Sequence, residues 1–220
     1  MLSAEADAIL NDLYNAPKVQ GANGLVEIDP ITRIDKTAGS ELNRLVRESK
    51  TKKSLEIGLA YGFSTIFIMD ALASAGSHIA IDPFQATLWH GVGATQATRL
   101  SPKRFKWLED YSIHVLSDYI RAGERFDFIF IDGNHRFDDV LVDFYLSDQT
   151  LKVDGLLVLD DIWMASIRTV LSYVLANRAY EIVPLKSPRM IALRKLKDDD
   201  RSWRHFRPFN VATQQPGGLD

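Results

Sequence analysis

The sequence predicts a single doubly wound α/β domain, and two patterns carry this prediction. The first is a series of short, continuous apolar runs, typical of strands buried on both faces of a parallel sheet, at 54–57, 79–81, 128–131 and 156–159. The second is a series of intervening amphipathic segments, long enough for the crossover helices that parallel strands require, at 64–74, 86–100, 137–151 and 166–177. Because 220 residues suffice for one substantial core, we predict one domain rather than two.

Two helical segments precede this core. Apolar residues recur at helical spacing in 3–14 and again in 36–49. We therefore predict an N-terminal helical cap in residues 1–50 and a core that occupies residues 51–196.

The second half of the core contains three further candidate strands. A weaker apolar run at 112–116 is interpreted as a strand that precedes the run at 128–131. Two late runs, 180–185 and 190–196, are separated by the short turn Ser187-Pro188. This spacing predicts a closing antiparallel hairpin.

Residues 197–220 are predicted to form a partly mobile tail. They are rich in Asp and Arg and approach their end with Gln-Gln-Pro-Gly-Gly, a composition that buries little apolar surface. Trp203, Phe206 and Phe209 interrupt the tail, and they either dock on the domain, dock on a second subunit or stay free. A homodimer is one arrangement that the cap and this aromatic tail would permit.

Composition narrows the classes of function. The net charge of −3 gives no general attraction to nucleic acid or anionic lipid, so a small molecule is the expected partner. The absence of cysteine excludes disulfides, thiolate metal sites and cysteine nucleophiles. The acidic N-terminus differs from a secretory signal, and no apolar run approaches the roughly 20 residues that a membrane helix needs. We therefore expect a cytoplasmic protein without a membrane partner.

A turn rich in small residues follows the first apolar run. In Leu55-Glu56-Ile57-Gly58-Leu59-Ala60-Tyr61-Gly62, small residues let a ligand approach the backbone closely, and the helix that follows points N–H groups at it. The order G-x-A-x-G lacks the G-x-G-x-x-G spacing of a dinucleotide site. Glu56 would repel a pyrophosphate, but it suits a ligand with a cationic amino group and no phosphate, such as S-adenosylmethionine. The alternative is a tight turn that binds nothing.

The second apolar run also ends in an acidic residue. Asp82 closes Ile79-Ala80-Ile81 and lies where a carboxylate can accept hydrogen bonds from both hydroxyls of a ribose. An Asp before Pro83 is also a common turn starter. The two motifs together favour a nucleoside-containing ligand.

These motifs resemble those of the class I S-adenosylmethionine-dependent methyltransferases, in particular an O-methyltransferase group whose first motif reads Leu-Glu-Ile-Gly-x-x-x-Gly-x-Ser-Thr. The resemblance spans about residues 31–196. It implies a Rossmann-like seven-stranded sheet of order 3-2-1-4-5-7-6 with the last strand antiparallel. It also implies that Asp82 holds the ribose. Asp118 would lie beside the adenine amino group, unless it is a solvated helix-start residue. The residues implied to line the methionine part are Glu56, Gly58, Ala60, Gly62 and Ser64.

Carboxylates end the third and fourth apolar runs. Asp132 follows 128–131, and the pair Asp160-Asp161 follows 156–159, so a parallel sheet would gather all three at one edge. Three carboxylates in one cleft repel one another unless a cation intervenes, and oxygen ligands suit Mg²⁺, Mn²⁺ or Ca²⁺. The alternative is that Asp160 merely ends a strand and Asp161 caps the next helix.

The same resemblance bears on these residues. Metal-using small-molecule O-methyltransferases have acidic residues at the positions matched by Asp132, Asp160 and Asp161. A branch that includes antibiotic-tailoring sugar methyltransferases has a motif like Asp-Gly-x-His, which supplies a metal ligand and a histidine base, and Asp132-Gly133-Asn134-His135 fits it. The resemblance thus implies that Asp132 and His135 are catalytic and that a divalent cation, Mg²⁺ or another hard ion, binds beside them.

The sequence therefore predicts methyl transfer to a small-molecule hydroxyl, aided by a cation that lowers the hydroxyl pKa and by a histidine that takes the proton. Three alternatives remain. They are a metal-independent methyltransferase, a catalytically silent S-adenosylmethionine-binding module, and an NAD-dependent dehydrogenase, which lacks the required glycine spacing.

Overall fold

The computed structural model describes residues 2–213 of the chain. Its helices are α1 (Ala4–Asn15), α2 (Lys36–Glu48), α3 (Phe63–Ala71), α4 (Val92–Leu100), α5 (Ser112–Arg121), α6 (Phe137–Thr150) and α7 (Ala165–Asn177). Its strands are β1 (Val19–Gly21), β2 (Gly24–Val26), β3 (Lys53–Ile57), β4 (Ser77–Ile81), β5 (Phe105–Leu108), β6 (Phe126–Ile131), β7 (Leu151–Leu159), β8 (Tyr180–Val183) and β9 (Ile191–Lys195). No helix in this part of the chain is long and apolar enough to cross a bilayer.

Seven strands form one sheet in the order β5-β4-β3-β6-β7-β9-β8. Neighbours from β5 to β7 pair in parallel, whereas β9 runs antiparallel to both β7 and β8. Counted along the sheet's own strands, this order is 3-2-1-4-5-7-6, so the predicted topology is confirmed. β1 and β2 form a separate small hairpin between the first two helices.

The two faces of the sheet bury different helices because side chains alternate along each strand. Phe128 and Phe130 of β6 pack with the layer formed by α1 to α4. Ile129 and Ile131 pack with the layer formed by α5 to α7. Each buried strand therefore needs apolar residues at every position, which is why the continuous runs identify the central strands.

The predicted strand at 112–116 is wrong. Ser112 begins helix α5, whose Val115 and Leu116 are buried, and the edge strand is β5 instead. Residues of β5 are only half-buried because the strand has a neighbour on one side only, so its apolar run is short. The helix predicted from 86 begins later, at Val92, because His90 and Gly91 both adopt positive φ angles of 52° and 67°.

The described part of the tail docks along α7. The Asn177 side chain exchanges hydrogen bonds of 2.9 and 2.8 Å with the Arg207 backbone, and Ala212 N donates to Thr169 Oγ1 at 3.0 Å. Phe209 packs edge-on against Tyr173. The predicted mobility of the last ten residues falls largely outside the described residues, at 214–220.

A buried carboxylate on α6 gives the first testable prediction. Asp143 accepts a hydrogen bond from Ser112 Oγ, and burial raises its pKa to about 6. The folded state thus binds this proton more tightly than the unfolded chain does, so stability falls as pH rises from about 4 to 6 and stays lower at neutral pH. Asp143→Asn should raise the free energy of unfolding at pH 7 by about 1–3 kcal/mol and flatten its dependence over that window.

Urea unfolding at several pH values measures this effect. Asp138→Asn, an exposed change in the first turn of the same helix, is the control and should cost a few tenths of a kcal/mol, about the worth of an acid near a helix N-terminus. No gain in the stability of Asp143→Asn at pH 7 would contradict the prediction.

Candidate active site

Four strand ends meet at one edge of the sheet. The residue after each strand donates its backbone N–H to the last residue of a neighbour, at 2.9 to 3.2 Å: Asp82 to Leu108, Gly58 to Ile81, Asp132 to Ile57 and Asp160 to Ile131. The sheet ladder therefore continues one residue past the strands and fixes the spacing of these groups. Carboxyl edges of parallel strands are where open α/β sheets bind ligands.

The turn after β3 packs tightly against the end of β6. Gly58 has a φ of 94°, and a Cβ there would lie 2.0 Å from the Asp132 carbonyl oxygen and 3.1 Å from Gly133 Cα. Only glycine satisfies both the backbone conformation and this close approach. Gly62, with a φ of 85°, begins α3, whose free N–H groups point toward the edge.

Glu56 lies beneath the turn and does not reach the crevice. It is fully buried, accepts hydrogen bonds from Ser64 Oγ and Thr65 Oγ1, and has His78 Nε2 at 3.0 Å. His78 Nδ1 in turn lies 2.8 Å from Ser54 Oγ. Glu56 and Ser64 therefore help to hold the first turn of α3 against β3, and their implied role in lining the methionine part stays a prediction. Sequence reasoning missed His78 and Thr65.

Asp82 fastens the turn from the other side. Its Oδ2 accepts hydrogen bonds from Leu59 N at 3.1 Å and Ala60 N at 2.8 Å, and its Oδ1 accepts from Phe84 N at 2.8 Å. Gln85, which the sequence did not single out, donates to the Ala60 carbonyl at 2.7 Å. Asp82 therefore lies at the end of β4, on the carboxyl edge of the sheet, as predicted. Its hydrogen bonds also hold the turn that follows β3 in place.

Asp118 is not at a strand end. It lies on the exposed side of α5, paired with Arg121, because the strand on which its placement depended does not exist. Two half-exposed rings stand near Asp82 instead: Phe84 and Tyr111 meet edge-to-face with centroids 6.2 Å apart. They follow β4 and β5 and offer apolar surface suited to a flat base.

The chemically richest group lies at the ends of β6 and β7. Among residues 2–213, Asp132, His135 and Asp161 offer donor atoms that all lie within 4.8 Å of one another. His135 Nε2 is 3.0 Å from Asp161 Oδ2 and 3.8 Å from Asp132 Oδ1. The two carboxylates match the ligand preferences of ions such as Mg²⁺ and Mn²⁺, whereas an imidazole is a more usual ligand of Zn²⁺ or Fe²⁺.

Asp160 does not join this group. Arg189 Nε lies 2.9 and 2.8 Å from the two Asp160 oxygens, and Arg189 Nη2 lies 2.9 Å from Asp161 Oδ1. The Trp163 indole N–H also donates to Asp161 Oδ1, at 2.8 Å. The structure thus has His135 beside Asp132 and Asp161, with Asp160 turned toward Arg189, and metal binding by Asp132, Asp160 and Asp161 stays a prediction.

The charges at this edge are closely coupled. The nearby carboxylates of Asp132 and Asp161 raise the pKa of His135 to about 10, which favours a protonated imidazole at neutral pH. Burial raises the pKa of Asp132, and burial together with the charge of Asp132 raises that of Asp160. Burial acts in the same direction on Asp161, but contacts with His135 and Arg189 hold its pKa below the usual value. The donor atoms of Asp132, His135 and Asp161 nevertheless lie close enough together to meet one cation.

Comparisons with known proteins agree with this geometry. Residues 55–162 match a family model described as a methyltransferase domain. The chain is similar to an O-methyltransferase from Bacillus cereus in complex with SAH (S-adenosylhomocysteine), with a TM-score of 0.69 and 18% identity over 88% of this chain and 91% of that one. No curated protein is significantly similar to the chain in sequence.

Two further structures are similar over most of the chain. TomG from Streptomyces achromogenes, an O-methyltransferase involved in tomaymycin synthesis and solved with SAM, has a TM-score of 0.67 and 15% identity over 89% of this chain and 91% of that one. A putative caffeoyl-CoA O-methyltransferase from Staphylococcus aureus has a TM-score of 0.61 and 16% identity over 73% and 83%. At these identities the similarity establishes the fold.

Proposed function

We propose that this chain, which has the fold of the similar methyltransferases and matches a methyltransferase-domain model over residues 55–162, transfers a methyl group from S-adenosylmethionine to a hydroxyl of a small molecule. One observation carries the proposal: the glycine turn, Asp82 and the group of Asp132, His135 and Asp161 share one edge of the sheet. The net charge of −3 favours a small acceptor over nucleic acid and is compatible with a cytoplasmic location.

Binding of the methyl donor is assigned to the first half of the edge. The turn from Gly58 to Gly62 would face the methionine part, and a free lone pair of Asp82 would accept from the ribose hydroxyls. Phe84 and Tyr111 would flank the adenine. This arrangement would hold the donor with its reactive end toward Asp132.

Asp132 and Asp161, with His135 beside them, are the residues that would hold a divalent cation. Such an ion would act as a Lewis acid on the acceptor hydroxyl and offset the two charges that keep His135 protonated. His135 would then take the hydroxyl proton at Nε2. Trp163, whose side chain is largely exposed but anchored to Asp161, would give the acceptor an apolar wall.

Two other functions make different predictions. In a metal-independent methyltransferase, His135 and Asp132 would work alone and chelators would have no effect. A silent S-adenosylmethionine-binding module would bind the donor but never consume it in the presence of any acceptor. The close approach of the donor atoms of Asp132, His135 and Asp161 favours the metal-assisted enzyme.

Donor binding is the direct test of the proposal. Asp82→Ala should weaken binding of S-adenosylmethionine by about 1–3 kcal/mol, roughly five- to 150-fold, because charged hydrogen bonds to ribose are lost. The turn would also lose its acceptor for Leu59 N and Ala60 N. Isothermal titration calorimetry with both S-adenosylmethionine and its demethylated product gives the affinities.

Asp118→Asn is the matched control, because Asp118 lies on an exposed helix face and should not affect donor affinity. Folded wild-type protein that binds neither ligand would refute the proposal. Equal affinities for the wild type and Asp82→Ala would place the ribose elsewhere.

A further inference from the structure

Arg189 joins the candidate cation site from a distant part of the sequence. It lies between the β8–β9 hairpin turn and β9, and its guanidinium contacts both Asp160 and Asp161. The Arg189 carbonyl also accepts a hydrogen bond from Ile162 N at 3.0 Å. Backbone and side chain together therefore fix this arginine against the loop that follows β7.

The loop itself points its two carboxylates in different directions. Asp161 has a positive φ of 50°, an uncommon conformation for a residue other than glycine. Asp160, almost fully buried, faces Arg189, whereas one oxygen of Asp161 faces His135 and the other faces Arg189 and Trp163. Both Asp160 oxygens are engaged by Arg189 Nε, and Asp160 is not part of the group whose donor atoms lie within 4.8 Å of one another.

We infer that Arg189 holds Asp160 outside the coordination of the proposed cation, so that Asp132 and Asp161 are the carboxylate ligands. This inference rests on the proposed function, because it concerns the cation of that site. Geometry supports it: Arg189 Nε contacts both oxygens of Asp160, at 2.9 and 2.8 Å, whereas Asp161 keeps one oxygen toward His135. Arg189 is thus a positioning residue that sets how many carboxylates the ion meets.

Binding of Mn²⁺ to the protein alone tests the inference. Free Mn²⁺ is measured by electron paramagnetic resonance, without methyl donor or acceptor. Asp160→Asn removes a nearby negative charge but no ligand, so it should weaken binding by less than about tenfold, whereas Asp161→Asn should weaken binding by about 100-fold or more because a carboxylate ligand is lost as well. A loss in Asp160→Asn as large as that in Asp161→Asn overturns the inference.

Substitution of Arg189 is the second part of the Mn²⁺ binding experiment. Arg189→Gln should tighten Mn²⁺ binding by about tenfold or more, because a repelling charge is removed and Asp160 is released toward the ion. The double variant Arg189→Gln with Asp160→Asn should be weaker than the single variant and return to within about tenfold of the wild type. Arg168→Gln is the control, because that guanidinium donates to the backbone carbonyls of Ile162, Trp163 and Thr213.

The outcomes separate this inference from the proposed function. Mn²⁺ that binds wild type and is lost in Asp160→Asn leaves the metal-assisted function standing and removes the role of Arg189. Absence of binding at millimolar Mn²⁺ in wild type and every variant removes the cation from the function, and the inference with it. Because Asp160→Asn keeps Arg189 and the shape of the loop, the first part of the experiment decides even where Arg189→Gln does not fold.

Discussion

Asp161→Asn is expected to abolish methyl transfer while S-adenosylmethionine remains bound. Asp161 contacts His135 and lies within the group that would hold the cation, whereas the turn and Asp82 that would bind the donor are fastened separately. A chelator should have the same effect on wild type, and added Mg²⁺ or Mn²⁺ should restore turnover. Consumption of S-adenosylmethionine with a panel of hydroxyl acceptors, followed by mass spectrometry, measures the rate, and calorimetry measures donor affinity.

His135→Ala separates the base from the ligands in the same assay. Loss of a general base should lower the rate by roughly 10²–10⁴-fold. The carboxylates remain in this variant, so a cation should still bind, and chelation should reduce the residual rate further. Full turnover of wild type in chelator would contradict the metal role and favour the metal-independent enzyme, in which His135→Ala still abolishes most activity.

The central strands could be predicted because a strand that is buried on both faces carries apolar residues at consecutive positions. Strands β6 and β7 contain unbroken apolar runs at 128–131 and 156–159, and the segments between the central strands have the length of crossover helices. The edge strand β5 escaped this reasoning because its Phe-Lys-Trp-Leu sequence is half-exposed. The neighbouring run at 112–116 is as apolar as a short strand, and such runs do not distinguish strand from helix.

The candidate site could be predicted only as far as the sheet topology determines it. Asp82, Asp132 and Asp160 follow parallel strands, so their meeting at one edge needs no knowledge of side-chain directions. The direction of Asp160 depends on the backbone angle of Asp161 and on Arg189. That contact forms only because the antiparallel β9 returns beside β7, so no local pattern reports it.

Glu56 illustrates a second limit. A resemblance places this residue near the methyl donor, but alternation along β3 directs its side chain into the layer beneath the sheet rather than toward the edge. Ser54 occupies the same face two residues earlier and meets His78. Two polar residues at alternate positions of a buried strand were the available signal for an internal network.

Gly58→Ala is expected to cost more than about 4 kcal/mol of stability and to abolish donor binding. The collision would be with the end of β6. The new Cβ would lie 2.0 Å from the carbonyl oxygen of Asp132, and Asp132 cannot retreat without breaking its 2.9 Å hydrogen bond to Ile57. Such a shift would also displace the carboxylate that would hold the cation.

Gly123→Ala isolates the steric part of this effect. Gly123 has a φ of 69°, but a Cβ there would meet no atom of residues 2–213 within 4 Å, so that variant should cost only the conformational penalty of about 1–2 kcal/mol. Urea unfolding of both variants gives the two free energies, and calorimetry on whichever remains folded gives donor affinity. Equal losses of stability would show that the turn and β6 are not in close contact, and the coupling of the donor turn to Asp132 would fail with it. A much larger loss in Gly58→Ala would mean that this contact sets the spacing between the methyl donor and the group that activates its acceptor.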